Sequence, residues 1–142
     1  MKYEFSPSLQ LLAEDIATRI FPHVKIERVK CFRSYGSSTK RTIARCHALG
    51  KLMQQAMGVP AFYALEFLGE KFNKMSQDEK VKVMIHELMH IPESFGGGFK
   101  NHDIVCEKNV EECYRAYNYC VKNEKKIDWF NLERQKKKRW SF

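Results

Sequence analysis

Long hydrophobic runs are missing from this sequence: in its 142 residues no stretch of about 18 apolar positions occurs. The first residues also lack the charged-then-apolar layout of a signal peptide. These two absences argue against a membrane-spanning or secreted protein. We therefore expect a soluble, cytoplasmic protein without a membrane partner.

Cysteine pairs are missing as well. The five cysteines are an odd number and contain no CxxC pair, which argues against a secreted disulfide framework and against a cysteine-based zinc knuckle. Reduced thiols are the simpler interpretation. Cys106, Cys113 and Cys120 recur every seven residues, which predicts one stripe of small core residues on a helix.

The composition is sufficient for one folded domain followed by a charged tail. With 44% hydrophobic residues, the chain can bury a core without disulfides, and we predict a domain over residues 1–124 and a basic C-terminal tail over 125–142. The formal net charge is +8. Such a basic run favours nucleic acid as a partner, whereas the alternative is a solvated tail. The cations concerned are Lys122, Lys125, Lys126, Arg134, Lys136, Lys137, Lys138 and Arg139.

Apolar spacing and capping signals predict a mixed α and β domain. Ser6 and Pro7 are typical of a helix start, and Ser76 with Glu79 forms a capping box before a second strong helix. The predicted helices cover residues 7–21, 48–57, 77–91 and 103–121, and the predicted strands cover residues 24–31, 41–47 and 61–68.

Residues 86–90 read HELMH, an HExxH motif inside the helix predicted over 77–91. On a helix, positions i and i+4 share a face, so His86 and His90 can direct two imidazoles at one ion while Glu87 projects beside them. Ordinary surface histidines explain the pattern poorly, because these polar residues interrupt an apolar stretch. The motif therefore predicts a metal site of the zinc hydrolase type.

A catalytic zinc usually has three protein ligands and one open position, so one more ligand is required. His102 follows His90 by twelve residues, after three consecutive glycines that allow the chain to reverse. We predict His102 as the third ligand. Asp103, Glu107 and Glu111 are alternatives, because zinc also accepts carboxylate oxygen, and Asp103 could instead orient a ligand histidine or cap the last helix.

The remaining candidate residues are one carboxylate and two isolated histidines. Glu87 is the predicted general base, which takes a proton from zinc-polarised water and passes it to a leaving amine. His23 and His47 stand alone in the sequence and are predicted to be structural or exposed.

Several short segments occur in the order of a known family. They are His86-Glu87-Leu88-Met89-His90-Ile91-Pro92, Phe95-Gly96-Gly97-Gly98 and His102-Asp103, preceded by residues 31–38 and Ala44-Arg45-Cys46. In these segments the chain resembles the zincin-type metallopeptidases of archaea and phages. The resemblance implies a zincin-like α+β fold, with a small mixed sheet packed on the HExxH helix, flanking helices, and zinc between that helix and the next loop.

Two functions from different classes follow from these observations. The leading hypothesis is a zinc-dependent metallopeptidase, a hydrolase of peptide or protein substrates, with Zn²⁺ as cofactor. The alternative is a metal-stabilised nucleic-acid-binding protein with structural zinc, and a third hypothesis combines the two in a protease recruited to DNA-bound proteins. In the alternative, the basic tail supplies stacking groups from Trp129, Phe130, Trp140 and Phe142.

Overall fold

A four-stranded mixed sheet forms the centre of the fold. The computed structural model describes residues 1–140, with side chains described to residue 139. The strands are β1 (Lys2–Phe5), β2 (Val29–Tyr35), β3 (Ala44–Ala48) and β4 (Tyr63–Leu68). The strand order is β1-β2-β4-β3, in which β2 and β4 are parallel and the two outer pairs are antiparallel. The edge strands are therefore β1 and β3.

Helices cover one face of this sheet. The helices are α1 (Pro7–Ile20), α2 (Lys51–Met57), α3 (Gly69–Phe72), α4 (Gln77–Met89), α5 (Glu107–Asn123) and α6 (Trp129–Trp140). Helix α1 packs against β2 and helix α4 against β3, while α5 packs on both α1 and α4. The side chain of Ser6 accepts a hydrogen bond from the N–H of Leu9 at the start of α1, and Ser76 does the same for Glu79 in α4.

The α+β class and the mixed sheet on the motif helix are confirmed, with changes at the element boundaries. The strand predicted over 24–31 is a loop and a 3₁₀ turn as far as Arg28, and β2 starts at Val29, where pairing with Tyr63 begins. The helix predicted over 48–57 starts only at Lys51, because Ala48 still pairs with Tyr63. Strand β1, which follows Met1, was not predicted.

The segment predicted as a tail contributes to the core. Trp129 and Phe130, the stacking groups of the nucleic-acid-binding alternative, are each only 4% exposed, and their ring centroids lie 5.1 Å apart. Buried rings cannot stack on bases, so the stacking role predicted for these two residues is wrong, and their large aromatic surfaces stabilise the core instead. The predicted stacking side chains of Trp140 and Phe142 lie outside the described side chains.

None of the helices within residues 1–140 combines the length and the apolar character that crossing a bilayer requires.

Candidate metal centre

Three histidine side chains meet at the edge of the fold. The potential ligand atoms of His86, His90 and His102 all lie within 4.8 Å of one another, and in the described residues no other such group of His, Cys, Asp or Glu is found. Nitrogens bound to one tetrahedral zinc would lie about 3.4 Å apart, given Zn–N distances of about 2.1 Å. Small side-chain rotations would therefore bring all three imidazoles onto one ion.

Helix α4 supplies two of these imidazoles through its regular geometry. His86 lies in its last turn and His90 is its C-cap, four residues later, with ring centroids 5.1 Å apart. Burial, followed by the nearby His90 and His102, lowers the pKa of His86 to about 4. The imidazole is therefore neutral at neutral pH, which is the protonation state that a metal ligand needs.

The third histidine is held by contacts between its loop and the end of α4. The backbone N–H of Lys100 donates to the carbonyl of His90 over 2.7 Å, and Nδ1 of His90 lies 2.7 Å from the carbonyl of Lys100. Only a protonated ring nitrogen can pair with a carbonyl, so Nδ1 carries the hydrogen and Nε2 keeps its lone pair free. The same contact therefore orients His90 and anchors the chain two residues before His102.

Tyr63 in β4 anchors the glycine segment before this loop. Its buried hydroxyl donates to the carbonyl of Gly98 over 2.8 Å and accepts from the N–H of Gly97 over 3.0 Å. Gly97 has a φ of +100°, and a Cβ there would lie 2.4 Å from Nε2 of Gln54 and 2.6 Å from the carbonyl of Leu49. Because no side chain fits at this point, the chain needs glycine to pass between β4 and α2.

Glu87 lies beside the histidines in an enclosed setting. It is 5% exposed, and burial raises the pKa of its carboxyl to about 7. Cys46 faces the same region from β3, and burial above all raises the pKa of its thiol. Near neutral pH, Glu87 can exchange a proton, whereas Cys46 stays a neutral thiol.

Two cavities open next to these groups. One of about 420 Å³ is lined by the three histidines, Glu87 and Phe99, together with β3 residues Ala44–Cys46. The other, of about 600 Å³, also touches His86 and Glu87 and has an apolar lining that includes Ile43, Val83 and Val110. The candidate centre is thus accessible from an elongated cleft along β3.

The carboxylates considered as alternative ligands lie outside the histidine group, although Glu107 and Glu111 line the larger cavity beside His86. Glu111 forms a 2.7 Å ion pair with Lys82, and Glu107 is exposed on the wall of the larger cavity. Asp103 is exposed, and its N–H donates to Oδ1 of Asn101. None of the three joins the histidine group. The geometry therefore favours His102, and its role as a ligand stays a prediction.

The isolated histidines and the cysteine stripe have structural surroundings. Nε2 of His23 lies 2.9 Å from the carbonyl of Ile91, just after α4, and His47 pairs with the buried carboxylate of Glu66 over 2.8 Å. Cys113 and Cys120 are buried, as predicted for core residues. Cys106 is half-buried and forms the N-cap of α5, so it lies just outside the helical stripe.

Three positioning residues escaped sequence reasoning: Tyr63, Lys100 and Gln54. Tyr63 carried the one usable signal, because a buried tyrosine in an apolar strand requires a partner for its hydroxyl. Lys100 acts through its backbone, which no residue type reveals. Gln54 donates to the carbonyls of Leu49 and Gly96 over 2.7 and 3.0 Å, a contact that depends on the tertiary structure.

Comparison with known protein families gives a match that covers most of the chain. The sequence model of a family described as "Putative phage metallopeptidase" matches residues 1–131, which include all three histidines, Glu87 and the first residues of α6. Searches against curated proteins and against solved structures found no match.

Proposed function

Because the chain belongs to the phage metallopeptidase family, we propose that it is a zinc-dependent peptidase with His86, His90 and His102 as metal ligands and Glu87 as general base. The observation that carries this proposal is the convergence of three imidazoles within 4.8 Å, next to a buried carboxylate on the same cavity. A structural metal site has no need of an adjacent proton acceptor, and it usually has four protein ligands.

The donor set supports zinc as the metal. Three imidazoles suit zinc, and a three-ligand site leaves one tetrahedral position for water or substrate. The carbonyl of Lys100 fixes the tautomer of His90, as expected for an outer-shell partner of a ligand histidine. When bound, zinc supplies Lewis acidity, which activates water for attack and polarises the scissile carbonyl.

Glu87 supplies the proton transfers in this proposal. Its carboxylate accepts a proton from the attacking water and delivers it to the nitrogen of the leaving amine. Burial raises the pKa of this carboxyl to about 7, and a group with a pKa near the working pH can both accept and release a proton. The same burial limits competing exchange with bulk water.

The open edge of β3 supports a polypeptide substrate. The carbonyl of Ile43 accepts from the N–H of Leu68 in β4 over 2.8 Å, and the N–H of Leu49 donates to the carbonyl of Phe62, just before β4, over 2.9 Å. Because backbone direction alternates along a strand, the N–H and C=O groups of Ala44, Cys46 and Ala48 point to the open side. Ala44 and Cys46 also line the histidine cavity. An extended peptide pairing with this edge would pass directly beside the proposed centre.

The test of this function is Glu87→Gln. The amide keeps the size of the side chain but cannot accept a proton, so zinc content should stay equal while peptide hydrolysis falls about a hundredfold or more. Metal analysis and cleavage of a broad panel of unstructured proteins measure the two quantities. Glu79→Gln, on the exposed first turn of the same helix, is the matched control. Equal cleavage by Glu87→Gln with zinc retained would remove Glu87 as the base.

A further inference from the structure

Helix α2 has its apolar face turned to solvent. Lys51 lies next to Gly96, and Gln54 donates to the carbonyls of Leu49 and Gly96, so the face that packs on the protein is polar. At about 100° per residue, Leu52, Met53 and Met57 share the opposite face. These three side chains are 79%, 51% and 58% exposed. This is the reverse of the usual arrangement, in which a helix buries its apolar face.

Exposed apolar groups continue beyond the helix. Val59 and Phe62 are 39% and 37% exposed, so five of the thirteen exposed large apolar side chains within residues 1–139 fall between positions 52 and 62. We call these five residues the α2 surface: Leu52, Met53, Met57, Val59 and Phe62. Apolar side chains clustered in this way indicate a binding surface, and methionine adapts to varied partners.

Strand β3 borders both the histidine cavity and the α2 surface, and its side chains alternate between the two faces of the sheet, with Cys46 on one face and His47 on the other. Residues Ala44–Cys46 line the cavity that contains the histidines. The next two residues of the strand, His47 and Ala48, line a separate cavity of about 530 Å³ together with Met57, Val59 and Phe62. One strand of five residues, about 17 Å long, therefore connects the proposed centre with the α2 surface.

A polypeptide is the occupant that this continuity favours. Helix α2 starts at Lys51, three residues after β3 ends at Ala48. A peptide that pairs with the open edge of β3 and extends past Ala48 therefore arrives at the start of α2. The cavity there has an almost entirely apolar lining, so it suits an apolar side chain. Phe99, 53% exposed at the histidine cavity, gives the cleft an apolar group of its own.

We propose that the α2 surface binds an apolar segment of the polypeptide substrate, beyond the residues that flank the cleaved bond. This inference rests on the proposed function and adds a substrate class to it: unfolded or exposed chain segments rich in large apolar residues, in preference to short polar peptides. Burial of the α2 side chains against such a segment supplies affinity that a short peptide cannot obtain.

The test compares two peptides that contain the same cleavable sequence. That sequence is first identified among the cleavage products of the panel of unstructured proteins. One peptide is extended by a leucine- and phenylalanine-rich segment, and its partner by an equally long serine- and glutamine-rich segment. The zinc-loaded wild type should prefer the apolar extension in kcat/KM. In the triple variant Leu52→Gln, Met53→Gln, Met57→Gln this preference should fall about tenfold, equivalent to about 1.4 kcal/mol.

A second readout does not depend on turnover. Fluorescence anisotropy of the labelled apolar-extended peptide, with zinc-loaded Glu87→Gln protein, should show weaker binding when the triple substitution is added. Leu11→Gln is the control, because Leu11 is 67% exposed on α1 and lines neither cavity. This control should leave both the preference and the binding unchanged.

The outcomes separate the two proposals. If zinc-dependent cleavage continues and the triple variant keeps the wild-type preference, the α2 inference is wrong and the proposed function stands. If sedimentation shows a wild-type dimer that the triple substitution dissociates, the occupant is a second copy and the inference is overturned. If the zinc-loaded protein cleaves nothing, the proposed function fails, and the substrate assignment fails with it.

Discussion

The candidate centre combines two regions that are positioned by different physical means. Helix α4 presents His86 and His90 on one face through helical spacing, and its own backbone hydrogen bonds hold the two together. The segment from Gly96 to His102 supplies the third histidine, and its position depends on contacts with His90, Tyr63 and α2. The helical pair is thus set by local structure, whereas the loop histidine is set by the tertiary fold.

Breaking the helical pair should have the largest effect. His86→Ala or His90→Ala leaves two ligands, of which only one remains on the rigid helix, so zinc affinity should fall more than about a hundredfold, beyond the usual range for outer-shell changes. Metal analysis and titration with a zinc indicator measure it. His47→Gln, a histidine exposed on β3, is the control. Equal zinc content in the wild type and both alanine variants would remove the proposed centre.

The loop histidine should come next. His102→Ala should weaken zinc binding by about a hundredfold, the upper end of the range for outer-shell changes, because water can replace the imidazole of an exposed ligand more easily than that of a half-buried one. Glu107→Ala and Glu111→Ala should retain the metal, since neither carboxylate joins the histidine group. The opposite ranking in the same titration would assign the site to a glutamate-completed class.

This contrast explains how far the sequence could predict the site. The HExxH spacing, Ser76 and the apolar pattern of residues 77–91 are local signals, and the helix they predict matches α4 closely. Twelve residues of separation and three glycines could only indicate that His102 has the reach to return. Two contacts between Lys100 and His90 bring the loop back to the helix. Both use backbone atoms of Lys100, so the residue type at position 100 does not indicate them.

The same distinction applies to the fold. Helices α1 and α4 carry capping signals and apolar periodicity, so their starts are predicted to the residue. Strand β1 and the start of β2 are determined by partners far along the chain, at residues 32–35 and at Tyr63, and were missed or misplaced. The sequence predicts a tail where α6 forms, because the high charge of this segment conceals that Trp129 and Phe130 pack in the core.

A substitution that weakens the contacts of the segment before His102, but leaves all three histidines in place, tests whether this segment is independent of α4. Tyr63→Phe removes the hydroxyl that bridges Gly97 and Gly98 and should lower zinc affinity about fivefold, the scale of one hydrogen bond of about 1 kcal/mol. Hydrogen exchange should rise at the amide of Gly97, whereas amides within α4 should keep their protection. Tyr114→Phe on α5 is the control, because it removes a tyrosine hydroxyl and keeps the ring that Lys82 contacts. Equal loss of protection in α4 would show that the two regions are not independent.

Substitutions at the charged end of α6 should have the smallest effect. Like the metal centre, this helix combines two differently held regions: its start packs in the core, and its end is charged. Arg134 pairs with Glu93 and Lys136 with Glu133, so part of its charge is neutralised within the chain. If nucleic acid is a partner, Lys137→Gln with Arg139→Gln should reduce the slope of log affinity against log salt by about two at most, one for each phosphate contact. Filter binding to a DNA duplex at several salt concentrations measures it. Lys40→Gln with Lys74→Gln removes the same charge elsewhere and is the control. If both double variants lower the affinity equally, the effect belongs to net charge, and α6 is a solvated helix rather than a nucleic-acid contact.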